Sequence, residues 1–226
     1  MRSLILIGAA LLFLAFALSP FHYDVNVVEG TVVSMDCPEV WSKGKGYNKD
    51  GTEIMHSADP MATPDRNVII SFHPLDFEPE LKPTEDAYVT QTEQTFLPLI
   101  LPVVVGSKVH FLNEDEFFHN VQSHTPGSRF NIGRRAPNVP YSIKIKKQGV
   151  INLMCDIHSH MSAKILSFDT PYFCRVGKDG TFSMKNLPDG RYRVEVFHPS
   201  CDDEVSEIEV RGGQVFKMDF KLNKRP

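Results

Sequence analysis

The chain of 226 residues reads as an all-β protein, on three observations. Short runs with alternating apolar and polar residues recur from residue 25 onward. Turn dipeptides such as Asp179-Gly180 and Asp189-Gly190 separate several of them. No convincing amphipathic helix follows the N-terminal segment.

That segment, MRSLILIGAALLFLAFAL, sets Arg2 beside Met1 and then runs apolar from Leu4 to Leu18, with Ala15-Phe16-Ala17 as an A-x-A cleavage signal. Residues 1–17 are expected to be a signal peptide, which places the protein in the periplasm or outside the cell. The run is shorter than the ~20 residues of a spanning helix, and an uncleaved N-terminal anchor is the alternative. No other membrane span is expected. With a net charge of −4 and no long basic cluster, nucleic acid is not expected as a partner.

VNVVEGTVVSM (25–35) is strand-like, whereas residues 41–67 are rich in Gly, Asp and Lys and read as a long loop. VIISFHPL (68–75) resumes a strand. FEPELKPTED (77–86) carries prolines and acidic residues and suits a linker, so a boundary is expected near residue 86. The strands YVTQTEQ, LPVVVGSKVHFLN, HNVQSH, YSIKIKKQGVINLMC and SAKILSF follow. Val109 and Phe111 share one face and His110 the other; Tyr141, Ile143 and Ile145 alternate with Lys144 and Lys146, as half-buried sandwich strands do. After residue 170, GKDGTFSMKNLPDGRYRVEVFHP gives two strands, with SEIEV and QVFKMDFKL behind them. The C-terminal part therefore reads as a small β module of its own.

The chemistry concentrates in LMCDIHSHMSAKI (153–165), where Cys155, His158 and Met161 stand at C-x2-H-x2-M spacing. His119 lies upstream, at the end of a separate strand, in FFHNV. A thiolate and two imidazoles in one plane with a weak thioether above it make a trigonal blue-copper site, since soft sulfur favours Cu(I) while imidazole accommodates Cu(II). A short loop presents three ligands, and the fourth ties the site to the rigid sandwich. Taken singly, Cys155 reads as a buried strand thiol and each histidine as a solvated loop residue; taken together the set reads as a metal site. His160 is expected to stand beside it. Structural zinc usually offers four Cys/His ligands at paired spacings, and a binuclear copper centre needs a second loop thiol. Met154 and Asp156 flank Cys155 where enzymes with a second, catalytic copper place a His. No triad or carboxylate pair is evident, so the chain is not expected to be an enzyme.

HFLNEDEFFHNV followed by GVINLMCDIHSHM resembles the cupredoxins, and the two-residue loop gaps resemble amicyanin most. The resemblance covers about residues 86–169 and implies a Greek-key β-sandwich holding one mononuclear copper through His119, Cys155, His158 and Met161. It also implies that Asn120 hydrogen-bonds across to the Cys loop. Single-electron transfer to a redox partner protein, such as a cytochrome or a dehydrogenase or reductase, is the implied activity. Phe117, Phe118 and Ile157 would form an apolar docking patch rimmed by Glu114, Asp115 and Glu116. Copper delivery, or a structural module stabilised by copper, is the alternative function.

The segment DGTFSMKNLPDGRYRVEV resembles the carboxypeptidase regulatory-like modules, which are transthyretin-like β-sandwiches. That resemblance implies a discontinuous module, residues 25–80 plus 170–224, with the copper domain inserted; proteins of this two-part kind have been labelled methylamine-utilisation-like. In that arrangement Cys37 and Cys201 each follow a module strand and are expected to form a disulfide, while Cys174 is expected to be a buried free thiol.

Overall fold

A computed structural model describes residues 25–35, 45–47, 53–55 and 67–225. The expected signal peptide and Cys37 lie outside the described residues. Nineteen strands and no α-helix occur among the described residues. No helix among them is long and apolar enough to cross a membrane.

Four strand layers make two sandwiches. In the first, one sheet has the order β11 (Tyr141–Lys144), β8 (Lys108–Asn113), β5 (Ala87–Thr92), β6 (Thr95–Leu97). The facing sheet runs β10 (Phe130–Asn131), β9 (Gln122–Ser123), β12 (Gly149–Met154), β13 (Ser162–Phe168), β7 (Ile100–Val104). Alternation decides what lies between them. Val109 and Phe111 point into the core while His110 stays at the surface layer, and Ile151, Leu153 and Cys155 continue the inward face of β12. Gly106, at φ +95°, makes the turn from β7 to β8 in a conformation that a Cβ would strain. On edge strand β11 the inward face is only partly covered. Ile145 just beyond it is buried, whereas Tyr141 is 37% exposed and sits beneath the Arg135 guanidinium, 4.3 Å away.

The second sandwich is assembled from both ends of the chain. β1 (Asn26–Met35) pairs antiparallel with β15 (Thr181–Leu187) and parallel with β18 (Val215–Lys217) and then β19 (Phe220–Asn223). Opposite it stand β14 (Phe173–Arg175), β4 (Ile69–Pro74), β16 (Gly190–Phe197) and β17 (Glu204–Val210). Val28, Phe72, Leu187, Tyr192 and Val194 fill the core. Burial of each of the large apolar side chains contributes about 1.5–3 kcal/mol. The fully buried Tyr192 donates its hydroxyl to the Pro188 carbonyl at 2.8 Å, so its one polar atom is satisfied.

Two local expectations are corrected. Residues 41–67 are not wholly irregular, because β2 (Lys45–Tyr47) and β3 (Glu53–Met55) form a short antiparallel hairpin there. The single run QVFKMDFKL is two strands, broken at Met218 and Asp219. The Met218 carbonyl passes so close to Gly30 that a Cβ there would lie 1.7 Å from it, and the Asp219 carboxylate accepts the Thr31 N–H and hydroxyl at 2.8 and 2.7 Å.

The sandwiches meet through Ile69, Ile100 and Leu166, against which Phe168, Phe173 and Phe197 pack. Arg175 Nη2 donates to the Ile100 carbonyl across the same seam at 2.7 Å. Residues 75–86 carry the chain from one sandwich to the other without a regular strand.

Candidate metal centre

His119, Cys155 and His158 converge at one end of the first sandwich. Their ligand atoms all lie within 4.8 Å of one another. His119 Nδ1 stands 3.0 Å from His158 Nδ1 and 4.0 Å from Cys155 Sγ. Metal–nitrogen and metal–sulfur bonds are about 2.0–2.3 Å long, so a single ion can reach all three donors. Two imidazole nitrogens turned on each other beside a thiol suit a cation between them, and the soft-plus-imidazole donor set suits copper.

Each ligand is placed by a separate local cause. Cys155 follows β12 on its inward face and is 3% exposed. The loop after it is pinned at both ends, since the Cys155 N–H donates to the Met161 carbonyl at 3.3 Å and the Met161 N–H to the His158 carbonyl at 2.9 Å. Met161 is fully buried in the same core cluster as Cys155. His119 sits in an isolated bridge: its N–H donates to the Arg135 carbonyl at 3.2 Å and its carbonyl accepts the Arg135 N–H at 2.7 Å. Asn113, fully buried at the end of β8, shapes the connecting turn. Its Nδ2 donates to the carbonyls of Phe117 (2.8 Å) and Arg135 (3.1 Å), and its Oδ1 accepts the Asp115 N–H at 3.1 Å.

That turn delivers a residue whose role the sequence did not disclose. Asp115 is not part of an acidic rim. Its Oδ2 lies 2.6 Å from His119 Nε2, while the Glu93 and Gln94 N–H groups donate to the same carboxylate at 2.6 and 2.9 Å. A carboxylate on Nε2 makes that nitrogen the donor and leaves the Nδ1 lone pair free for a metal. The only sequence signal was an Asp four residues ahead of the His, in a run of acids that reads equally well as solvated surface.

The electrostatics couple the three groups. Burial alone would raise the Asp115 carboxyl, but the bond to His119 and the two peptide N–H groups hold it below its ordinary value. Burial would lower His119, yet its contacts with Asp115 and Cys155 raise it. For Cys155 burial opposes ionisation, and the bond to His119 with the backbone N–H groups of Asn120, His158 and Ile157 outweighs it, drawing the thiol down. A thiolate is the form that ligates a metal.

It is the peptide N–H of Asn120, then, that reaches across to the Cys155 sulfur; its side-chain Oδ1 is buried without a hydrogen-bond partner. Phe117 packs edge-on to His119 at 5.2 Å and against His158 at 5.5 Å, which fixes both rings. Phe118 and Ile157 face outward, 55% and 37% exposed. His160 lies beside His158 with ring centroids 6.1 Å apart, outside the converging trio. A cavity of about 350 Å³ adjoins Cys155 and Met161 and is walled in part by Asn67 and Pro199 from the second sandwich. Cys201 is buried and disulfide-bonded, Cys155 and Cys174 carry free thiols, and the expected partner Cys37 lies outside the described residues.

No protein-family model matches the chain, and no curated protein matches it. Among solved structures it is similar over part of its length to a purple cupredoxin from Nitrosopumilus maritimus, at 22% identity and a TM-score of 0.34, covering 37% of this chain and 100% of that one. A reduced amicyanin variant matches at 19% identity and a TM-score of 0.35, over 44% of this chain and 98% of that one. A copper-containing nitrite reductase from Thermus scotoductus matches at 22% identity and a TM-score of 0.36; here the match takes in 42% of this chain and only 25% of that one.

Proposed function

We propose that the protein is an exported copper protein that carries single electrons through one mononuclear site. The observation that carries this reading is the convergence of His119 Nδ1, His158 Nδ1 and Cys155 Sγ within 4.8 Å at a buried sandwich end. When bound there, copper supplies a one-electron Cu(I)/Cu(II) couple.

The chain's own residues supply the rest. Three peptide N–H groups and His119 draw the Cys155 thiol down, the Asp115 carboxylate bonds His119 Nε2, and Phe117 packs on both rings. Such a site rearranges little, because every donor is already held from a second side. Met161, buried in the same cluster as Cys155, would supply the fourth donor. Phe118 and Ile157 flank His158 at the surface and form the apolar patch on which a redox partner, a cytochrome or a dehydrogenase or reductase, would dock briefly. The second sandwich is read as a transthyretin-like module that walls the flank of the site through Asn67 and Pro199.

Addition of Cu(II) to the purified protein tests this directly. An intense blue thiolate absorption with narrow copper hyperfine splitting in the EPR spectrum is expected, followed by rapid electron exchange with a cytochrome. A weak tetragonal spectrum, or copper that is released to a chelator without redox exchange, would instead mark the metal as cargo.

A further inference from the structure

The seam between the sandwiches holds a second set of reactive side chains. Ser71 and His73 are two positions apart on β4 and so project from the same face. Asp169 follows β13 and meets them from the other sandwich. His73 Nδ1 lies 2.9 Å from Asp169 Oδ1, and His73 Nε2 lies 3.0 Å from Ser71 Oγ. With the carboxylate accepting from Nδ1–H, Nε2 presents its lone pair to the serine hydroxyl. Glu195 Oε2 is 3.5 Å from Nε2, too far for a good hydrogen bond, and its other oxygen is held by Arg193 Nη2 at 3.1 Å.

These groups border a cavity of about 380 Å³ whose apolar walls include Leu166, Phe168 and Phe197. That size falls in the range of about 300–1,000 Å³ typical of small-molecule sites. Ser71 is sheltered from bulk solvent yet lines the cavity, and Arg193 lines it too, its guanidinium paired with Glu195.

We propose that this seam is an acyl-transfer site that hydrolyses small carboxylic esters, with Ser71 as nucleophile, His73 as general base and then acid, and Asp169 as the group that orients His73. Ser71 Oγ bonds to the ester carbonyl carbon while its proton passes to His73 Nε2. The carbonyl π pair moves onto the oxygen, which faces Arg193. Collapse breaks the bond to the alcohol oxygen, and His73 returns the proton to that leaving group. Water then attacks the acyl-serine by the same route, releasing the acid and restoring Ser71. Ester and water become acid and alcohol, and no oxidant or reductant is consumed.

The proposal is independent of the metal centre, and the full-length chain should behave alike with and without added copper. Incubation with a fluorophosphonate followed by peptide mass mapping is expected to find the adduct on Ser71. Hydrolysis of p-nitrophenyl acetate should fall by roughly 100-fold or more in Ser71→Ala and in Asp169→Asn, while the copper spectrum of both variants stays that of the parent. An unlabelled Ser71 in the parent protein, or a Ser71→Ala protein that hydrolyses at the parent rate, overturns the assignment. The labelling arm needs no variant, so it decides the matter even where a substitution impairs folding.

Discussion

The two sandwiches each hold a free cysteine and a buried histidine, and treat them in opposite ways. In the first, Cys155 is surrounded by N–H donors and drawn toward the thiolate, while His119 is raised by its carboxylate partner. In the second, Cys174 packs half-buried against an apolar core, and burial pushes its thiol up to about 12. His198 is lowered to about 4, chiefly by burial and further by Arg225. Its Nδ1 accepts the Ser200 and Cys201 N–H groups at 3.0 and 3.2 Å, and its Nε2 is buried with no partner. Burial alone silences ionisable side chains; burial among oriented donors readies them for a metal. The difference lies in the charged and hydrogen-bonding partners around each residue, not in residue type.

Several measurements would break or sharpen that contrast. The largest effect is expected from Cys155→Ser, which should remove the blue absorption of the copper-loaded protein entirely, whereas Cys174→Ser should leave the visible spectrum unchanged. In copper-free protein at pH 8, iodoacetamide should alkylate Cys155 roughly 1,000-fold faster than Cys174, since a thiol near 12 is ionised at only about one part in 10,000. Comparable rates, read by mass spectrometry at early times, would remove the distinction. His198 carries the pH effect. Its folded value of about 4 lies below the ordinary 6.5, so the unfolded chain binds the extra proton between those values. Stability from this group is present above pH 6.5 and is lost as pH falls toward 4, by up to about 3 kcal/mol. Denaturant titrations of the parent and of His198→Gln should differ in slope over that window. Asp115→Asn, which keeps the shape but loses the anion, should weaken copper affinity about 10- to 100-fold in chelator competition. Least affected is Tyr192→Phe, expected to cost about 1 kcal/mol through loss of the bond to Pro188.

The ligand loop was legible because four metal-capable side chains, Cys155, His158, His160 and Met161, fall within seven positions and His119 follows a recognisable strand. The strands were legible wherever one face is wet: Val109 and Phe111 are buried while His110 is not. What sequence could not supply was pairing over distance. Asp115 looked like one acid among three until Asn113 turned it inward. Ser71 and Asp169 lie nearly a hundred positions apart, and only the meeting of β4 with the end of β13 joins them through His73. His198 sits in a His-Pro-Ser turn that composition marks as exposed, yet it is 1% exposed. The break at Met218 depended on how closely β1 could be approached at Gly30, a matter of packing and not of local propensity.

That first strand also has a consequence for how the molecule is made. All the sheet partners of β1 come after residue 180, whereas every pairing of the first sandwich closes between residues 87 and 168. On a chain synthesised from its N-terminus, β1, the earliest of the described strands, has to wait for partners made after residue 180. The pairings of the first sandwich are all available while β1 still has both edges open, so its sheet cannot be completed until the C-terminal strands have been made.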